Sequence, residues 1–123
     1  MILIYCVCKD KDEAEDISES LLKKRLAACT NFFPMQSMYW WKHKLVYDNE
    51  TVLIIKTVQK NYTKIEQEIK RMHSYTTPAI FSWKILHVEK KYENWLSAEI
   101  AKKQKNDLGT RKKGRTRYGK KRP

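Results

Sequence analysis

Cys6 and Cys8 stand two residues apart at the end of an apolar run that begins at Ile2. In an extended strand that spacing points both side chains to one face. Two soft sulfur donors side by side suit a thiophilic metal ion. The same pair on a buried strand also serves as ordinary core filling. Cys29 makes the cysteine count three, which is not an even set. With no export signal at the start of the chain, the expectation is free thiols in a reducing cytoplasm rather than a disulfide framework. The histidines, His43, His73 and His87, are dispersed. His43 and His87 make no zinc site without two further ligands. GxGxxG, Walker A, HExxH and CxxC motifs are all absent, which removes the common cofactor signatures. No Ser-His-Asp or Cys-His arrangement stands out, so no catalytic activity is expected.

The second chemical feature is charge. The 123 residues carry a net charge of +12, and residues 102–123 alone carry +10. All three glycines, Gly109, Gly114 and Gly119, lie in that terminal segment. Its apolar residues are too few to offset the entropy of ordering, so a disordered tail is expected after a nearly neutral domain over 1–101. Arg111, Lys112, Lys113, Arg115, Arg117, Lys120, Lys121 and Arg122 would attract the phosphates of RNA or DNA, with affinity that falls with salt. The other reading of such a tail is a solvated extension without a dedicated partner. No apolar run approaches the roughly 18 residues of a membrane span, so no membrane association is expected.

These residues must be held by a small set of elements. Ile2 to Val7 is continuously apolar, which suits a strand covered on both faces. Asp12 with Glu15 has the spacing of a capping box, and Ala14, Ile17 and Leu21 then mark one helical face, with Glu13, Glu19 and Lys23 off it. Ala28 to Trp41 is rich in aromatics and suits a strand, with Pro34 demanding an edge, bulge or bend. Tyr47-Asp48-Asn49-Glu50 signals a turn, and Thr51 to Val58 a further strand, the two runs forming a long hairpin. Tyr62, Ile65, Ile69 and Met72 recur at helical spacing. Ile80 to Val88 follows as a fourth strand with Phe81, Trp83 and Ile85 on one face. Tyr92, Trp95, Leu96 and Ile100 give a closing helix. The order is βαββαβ plus a C-terminal helix, an α+β, ferredoxin-like antiparallel sheet with both helices on one face. The aromatic hairpin is too apolar to face water, so self-association is expected.

Arg25-Leu26-Ala27-Ala28-Cys29-Thr30-Asn31, Ser37-Met38-Tyr39-Trp40-Trp41, Ile55-Lys56-Thr57 and His73-Ser74-Tyr75 with Pro78 resemble, in order and spacing, the CutA proteins, the divalent-cation tolerance family. The resemblance runs over about Met1 to Ile100. It implies a ferredoxin-like protomer in a homotrimer similar to the PII signalling proteins, with neighbouring subunits extending one another's sheets. It also implies tolerance of divalent metals, copper first, and no established catalysis. The basic tail is no part of that pattern.

The resemblance places Cys29 at the family's motif cysteine. This implies a copper ligand, with His73 or with Cys29 of another subunit, or else a small buried side chain. It also places Tyr39, Trp41, Lys44, Lys56, His73 and Tyr75 around an intersubunit cleft, either as a ligand site or as the interface itself. Two departures bear on that cleft. His43 stands where the family usually has Gly. The usual His-Pro-Tyr-Glu-x-Pro-Glu-Ile becomes His73-Ser74-Tyr75-Thr76-Thr77-Pro78-Ala79-Ile80, without its two acids. The expected function is therefore metal binding in a CutA-type tolerance or PII-like role. The alternative is a nucleic-acid-binding trimer acting through its tails.

Overall fold

The structure, a computed structural model, describes residues 1–102. The nucleic-acid candidates Arg111 to Arg122, and the tail expected from 102 onward apart from Lys102, lie outside them. The elements are β1 (Ile2–Cys8), α1 (Lys11–Lys23), β2 (Cys29–Trp41), β3 (Lys44–Thr57), a 3-10 turn (Gln59–Asn61), α2 (Tyr62–Met72), β4 (Ile80–Lys84) and α3 (Lys90–Ala101). The strands form one antiparallel sheet in the order β2-β3-β1-β4. This is the ferredoxin-like arrangement, and it matches the expected element order.

β1 is continuously apolar because it is central, paired to β3 on one side and β4 on the other. Ile2, Ile4, Cys6 and Cys8 meet Leu53 and Ile55 of β3 and the apolar stripes of α1 (Ala14, Ile17, Leu21) and α2 (Ile65, Ile69) in one core. Burying such side chains stabilises by about 1.5–3 kcal/mol each. Pro34 is accommodated because β2 is an edge strand, where a missing N–H breaks no ladder.

Three local expectations are corrected. The capping box is Asp10 with Glu13, not Asp12 with Glu15. The Asp10 carboxylate accepts from Glu13 N–H at 2.9 Å, and Glu13 accepts from Lys9 N–H at 2.8 Å. The helix therefore begins where β1 ends, two residues earlier, and Glu13 is buried rather than off the packed face. β4 stops at Lys84 instead of reaching Val88, and Ile85 only donates its N–H to the Met1 carbonyl. Residues 47–50 are not a turn but lie within β3, and the chain reverses at Lys42-His43.

That reversal has φ 48° at Lys42 and 66° at His43, both left-handed. A two-residue hairpin loop needs this geometry to match the twist of its strands, and non-glycine residues adopt it at a penalty. His43→Gly is expected to raise stability by about 1 kcal/mol, read as a higher urea midpoint. An unchanged or lower midpoint would show that the side chain of His43 offsets the backbone strain.

α1 and α2 are tied together by Glu68. Its carboxylate accepts from Arg71, Ser20 and Lys24. Arg71 above all, then Ser20 and Lys24, hold it well below the usual carboxylate range against the opposing effect of burial. A carboxylate with a depressed folded-state pKa stabilises fully above the unfolded value of about 4.3, and the contribution is lost progressively as pH falls from there through the folded value. The urea-midpoint gap between the wild type and Glu68→Gln should be widest near neutrality and narrow progressively as pH falls below about 4. A gap that does not move with pH would remove Glu68 from this role.

The opposite sheet face is only partly covered. α3 packs against β3 at one end, where Lys56 Nζ sits 5.6 Å from the Tyr92 ring centroid and Leu96 is fully buried. Tyr5 and Phe81 stack on that face with ring centroids 4.6 Å apart, and Trp83 meets both edge-on. Beyond β1, the distal halves of β2 and β3 pair only with each other and form an arm. One face of the arm carries Met38, Trp40, Leu45 and Tyr47, with Trp40 73% and Tyr47 78% exposed.

Candidate functional site

Two constellations lie near the segment between α2 and β4. The first is buried. α2 ends at Met72, and His73 takes an extended backbone (ψ 143°) that turns its ring under β1. The side chain is fully buried. His73 Nδ1 accepts from Tyr75 N–H at 2.9 Å, so Nε2 carries the proton and donates to the Val7 carbonyl at 2.7 Å. Glu13 Oε1 is 3.8 Å from Nε2, and the other Glu13 oxygen accepts from Ser74 N–H at 2.8 Å. Burial pushes the Glu13 carboxyl up, but the N–H groups of Lys9 and Ser74 outweigh it, leaving it below its ordinary value. Glu13 thus anchors the start of the loop.

The packing of His73 against β1 brings a ring nitrogen within 4.8 Å of the sulfurs of Cys6 and Cys8, which are likewise within 4.8 Å of each other. Both thiols are buried and free. The neighbouring Cys6 thiol, and then burial, push Cys8 well above the ordinary thiol range. The Cys8 thiol is therefore protonated at neutral pH. The donor set, two sulfurs and an imidazole, fits a soft ion. Recruiting it means displacing thiol protons and freeing one His73 ring nitrogen from its hydrogen bond, so affinity must rise with pH.

The second constellation is a cleft of about 460 Å³ lined by Val7, Tyr39, Trp41, Glu50 and the 74–79 loop. Strand alternation puts Tyr39 and Trp41 of β2 on the face shared with Glu50 of β3. Tyr75 donates to Glu50 at 2.6 Å, and Tyr39 donates to Asp48 at 3.1 Å. Burial, and then the Glu50 carboxylate, push the Tyr75 phenol well above its usual range.

Of the residues expected around this cleft, Tyr39, Trp41 and Tyr75 line it. His73 lies behind it, with its ring 4.8 Å from that of Tyr75. Lys44 sits at the hairpin end opposite Trp41. Lys56 is at the far end of β3, beside Leu3 and against α3, and belongs to no part of this cleft in one protomer. Cys29 pairs with Lys56 at that same far end. His73 touches Val7, four residues further along β1, roughly 13 Å away at strand spacing. Cys29 and His73 of one protomer are therefore not brought together. Glu50 was hidden by the turn reading of residues 47–50. Its alternation with Val52 and Ile54 was the signal available. It supplies a carboxylate to the loop that lost its own.

The profile of the CutA1 divalent ion tolerance protein family matches residues 2–99. The chain is 40% identical to the divalent-cation tolerance protein CutA of Thermotoga maritima over 100 residues, covering 81% of this chain and 99% of that one. Among solved structures it is similar to the protein described as the periplasmic divalent cation tolerance protein CutA of Archaeoglobus fulgidus. The TM-score is 0.79, at 38% identity over 81% of this chain and 99% of the other. It is also similar to CutA1 of Pyrococcus horikoshii, with TM-score 0.78 at 34% identity, covering 80% and 97%. The match spans nearly every described residue, and the chain belongs to the CutA1 divalent ion tolerance family.

Proposed function

We propose that this protein binds a thiophilic metal ion, copper first, in a cation-tolerance role, and that Cys6, Cys8 and His73 hold the ion. The observation that carries the reading is the convergence of two thiols and an imidazole within 4.8 Å. Thiolates favour copper and zinc over hard cations, so the donor set is selective by chemistry rather than by charge. Cys29 takes part only if another protomer supplies its partners. The reading assigns the cytoplasm, a reducing compartment in which thiols stay available. No described helix is long and apolar enough to cross a membrane.

The same reading makes the working unit a homotrimer, as the family resemblance implies. Its support is the arm, whose exposed Met38, Trp40, Leu45 and Tyr47 need apolar cover, together with the half-open aromatic face of Tyr5, Phe81 and Trp83. The test is copper loading of the reduced protein, wild type against a Cys6→Ser/Cys8→Ser variant, with subunit number read alongside. A metal-free wild type would overturn the reading.

A further inference from the structure

His73 belongs both to the buried donor cluster and to the root of the 74–79 loop. Its two ring nitrogens are both engaged. Nδ1 accepts from Tyr75 N–H at 2.9 Å, and Nε2 donates to the Val7 carbonyl at 2.7 Å. A neutral imidazole has one nitrogen with a free lone pair and one that carries the proton. Here the lone pair is spent on Tyr75 N–H. A metal ion needs that same lone pair. If the ion takes Nδ1, it displaces Tyr75 N–H directly. If it takes Nε2, the ring proton moves to Nδ1, where it faces Tyr75 N–H, donor against donor. The Tyr75 amide loses its acceptor in either case.

The loop is built to respond. It lies between α2 and β4 in neither helix nor strand, and Ser74, Thr76, Thr77 and Ala79 are exposed. On one side of Tyr75, Ser74 is pinned by the Glu13 carboxylate, which accepts its N–H at 2.8 Å. On the other, Ala79 accepts Val7 N–H at a long 3.3 Å. The Tyr75 hydroxyl donates to Glu50 at 2.6 Å. The hinge therefore falls between Ser74 and Tyr75, and Tyr75 carries the movement to β3. An amide that loses its acceptor turns toward water, because leaving it buried and unpaired costs about 1–3 kcal/mol. The geometry points to a metal-driven switch, in which an ion held by Cys6, Cys8 and His73 evicts the Tyr75 amide from His73 and loosens Tyr75 from Glu50. The switch exists only if the cluster binds metal, as proposed above, and it is what the bound state does to the protein. The family resemblance puts a neighbouring subunit beside this loop, so loading would be felt on the surface between subunits. Coupling of this kind is reciprocal. The Tyr75–Glu50 bond, which holds the loop in its metal-free position, must oppose loading.

The experiment uses the full chain, reduced, with heavy-nitrogen tyrosine, and follows its amides by NMR as copper(I) is added. Copper(I) is diamagnetic and leaves the resonances visible. The chain has seven tyrosines, so the spectrum is sparse, and Tyr75→Phe identifies the Tyr75 peak by its loss. On loading, the Tyr75 amide should shift upfield and exchange with solvent about tenfold faster. Tyr75→Phe, which removes only the hydroxyl on Glu50, should bind copper(I) about three- to tenfold more tightly than the wild type. Copper(I) bound with the Tyr75 amide unmoved would overturn the switch and leave metal binding standing, since two-coordinate binding by Cys6 and Cys8 alone gives that result. A peak that shifts without faster exchange would overturn it as well, because a nearby ion moves a resonance without opening a bond. Wild-type affinity in Tyr75→Phe would overturn the link to Glu50. Failure to bind copper(I) at all would overturn both the switch and the metal site.

Discussion

Cys6→Ser/Cys8→Ser is expected to lower copper retained by the reduced protein from about one ion per protomer to background, while Cys29→Ser leaves retention unchanged. Serine nearly preserves the volume of cysteine but offers a hard, neutral oxygen that a soft ion ignores. The three donors stand within 4.8 Å in one protomer, whereas Cys29 lies at the other end of β1 from His73. The wild-type affinity should fall as pH falls, because copper must displace the proton of Cys8, which the neighbouring Cys6 thiol and burial hold in place. The measurement is copper retained after challenge with a copper(I) chelator at pH 8, 7 and 6, with urea midpoints confirming that the variants fold. Each serine buries a hydroxyl in the core and costs about 1–3 kcal/mol, so alanine at the same positions provides a second, apolar pair. Full retention in both double variants would remove the cluster. Loss on Cys29→Ser alone would move the site to an interface between subunits.

The second large effect concerns assembly. Trp40 and Leu45 face each other across the arm. Trp40→Glu with Leu45→Lys would set opposite charges across that pair, which supports the hairpin itself. It would at the same time remove two large apolar side chains from the docking face. Burial of such side chains contributes about 1.5–3 kcal/mol each, so the loss per protomer is about 3–6 kcal/mol. At micromolar concentration light scattering should show monomers in place of trimers, with circular dichroism unchanged. A variant that stays trimeric would place the assembly energy on the Tyr5-Phe81-Trp83 face instead.

Much of this architecture is written in local patterns. The unbroken apolar stretch of β1 reports a strand with neighbours on both sides, and the spacing of Ala14, Ile17 and Leu21 reports a helix face. Pro34 reports an edge. Each is decided by a residue and its near neighbours. The misreadings have a common cause as well. Asp48-Asn49 is a turn-prone pair that sits in a strand because thirteen register pairs between β2 and β3 outweigh local propensity. Lys42-His43 has no turn signature in its side chains, and it reverses the chain because the strands on either side pair up to that point.

The candidate site divides along the same line. Alternation alone puts Cys6 and Cys8 on one face, and puts Tyr39 with Trp41 on another. No local rule brings His73 to Cys8 or Tyr75 to Glu50. Those contacts span 66 residues in the His73–Val7 bond and 25 in the Tyr75–Glu50 bond. They depend on where α2 docks on the core, on the carboxylate of Glu13 that pins Ser74, and on the register of β3 against β1. Composition and spacing thus settle which elements form and which chemical groups are available. Packing settles which of those groups meet, because side chains distant in sequence share a site only after the core has set the distance between their backbones.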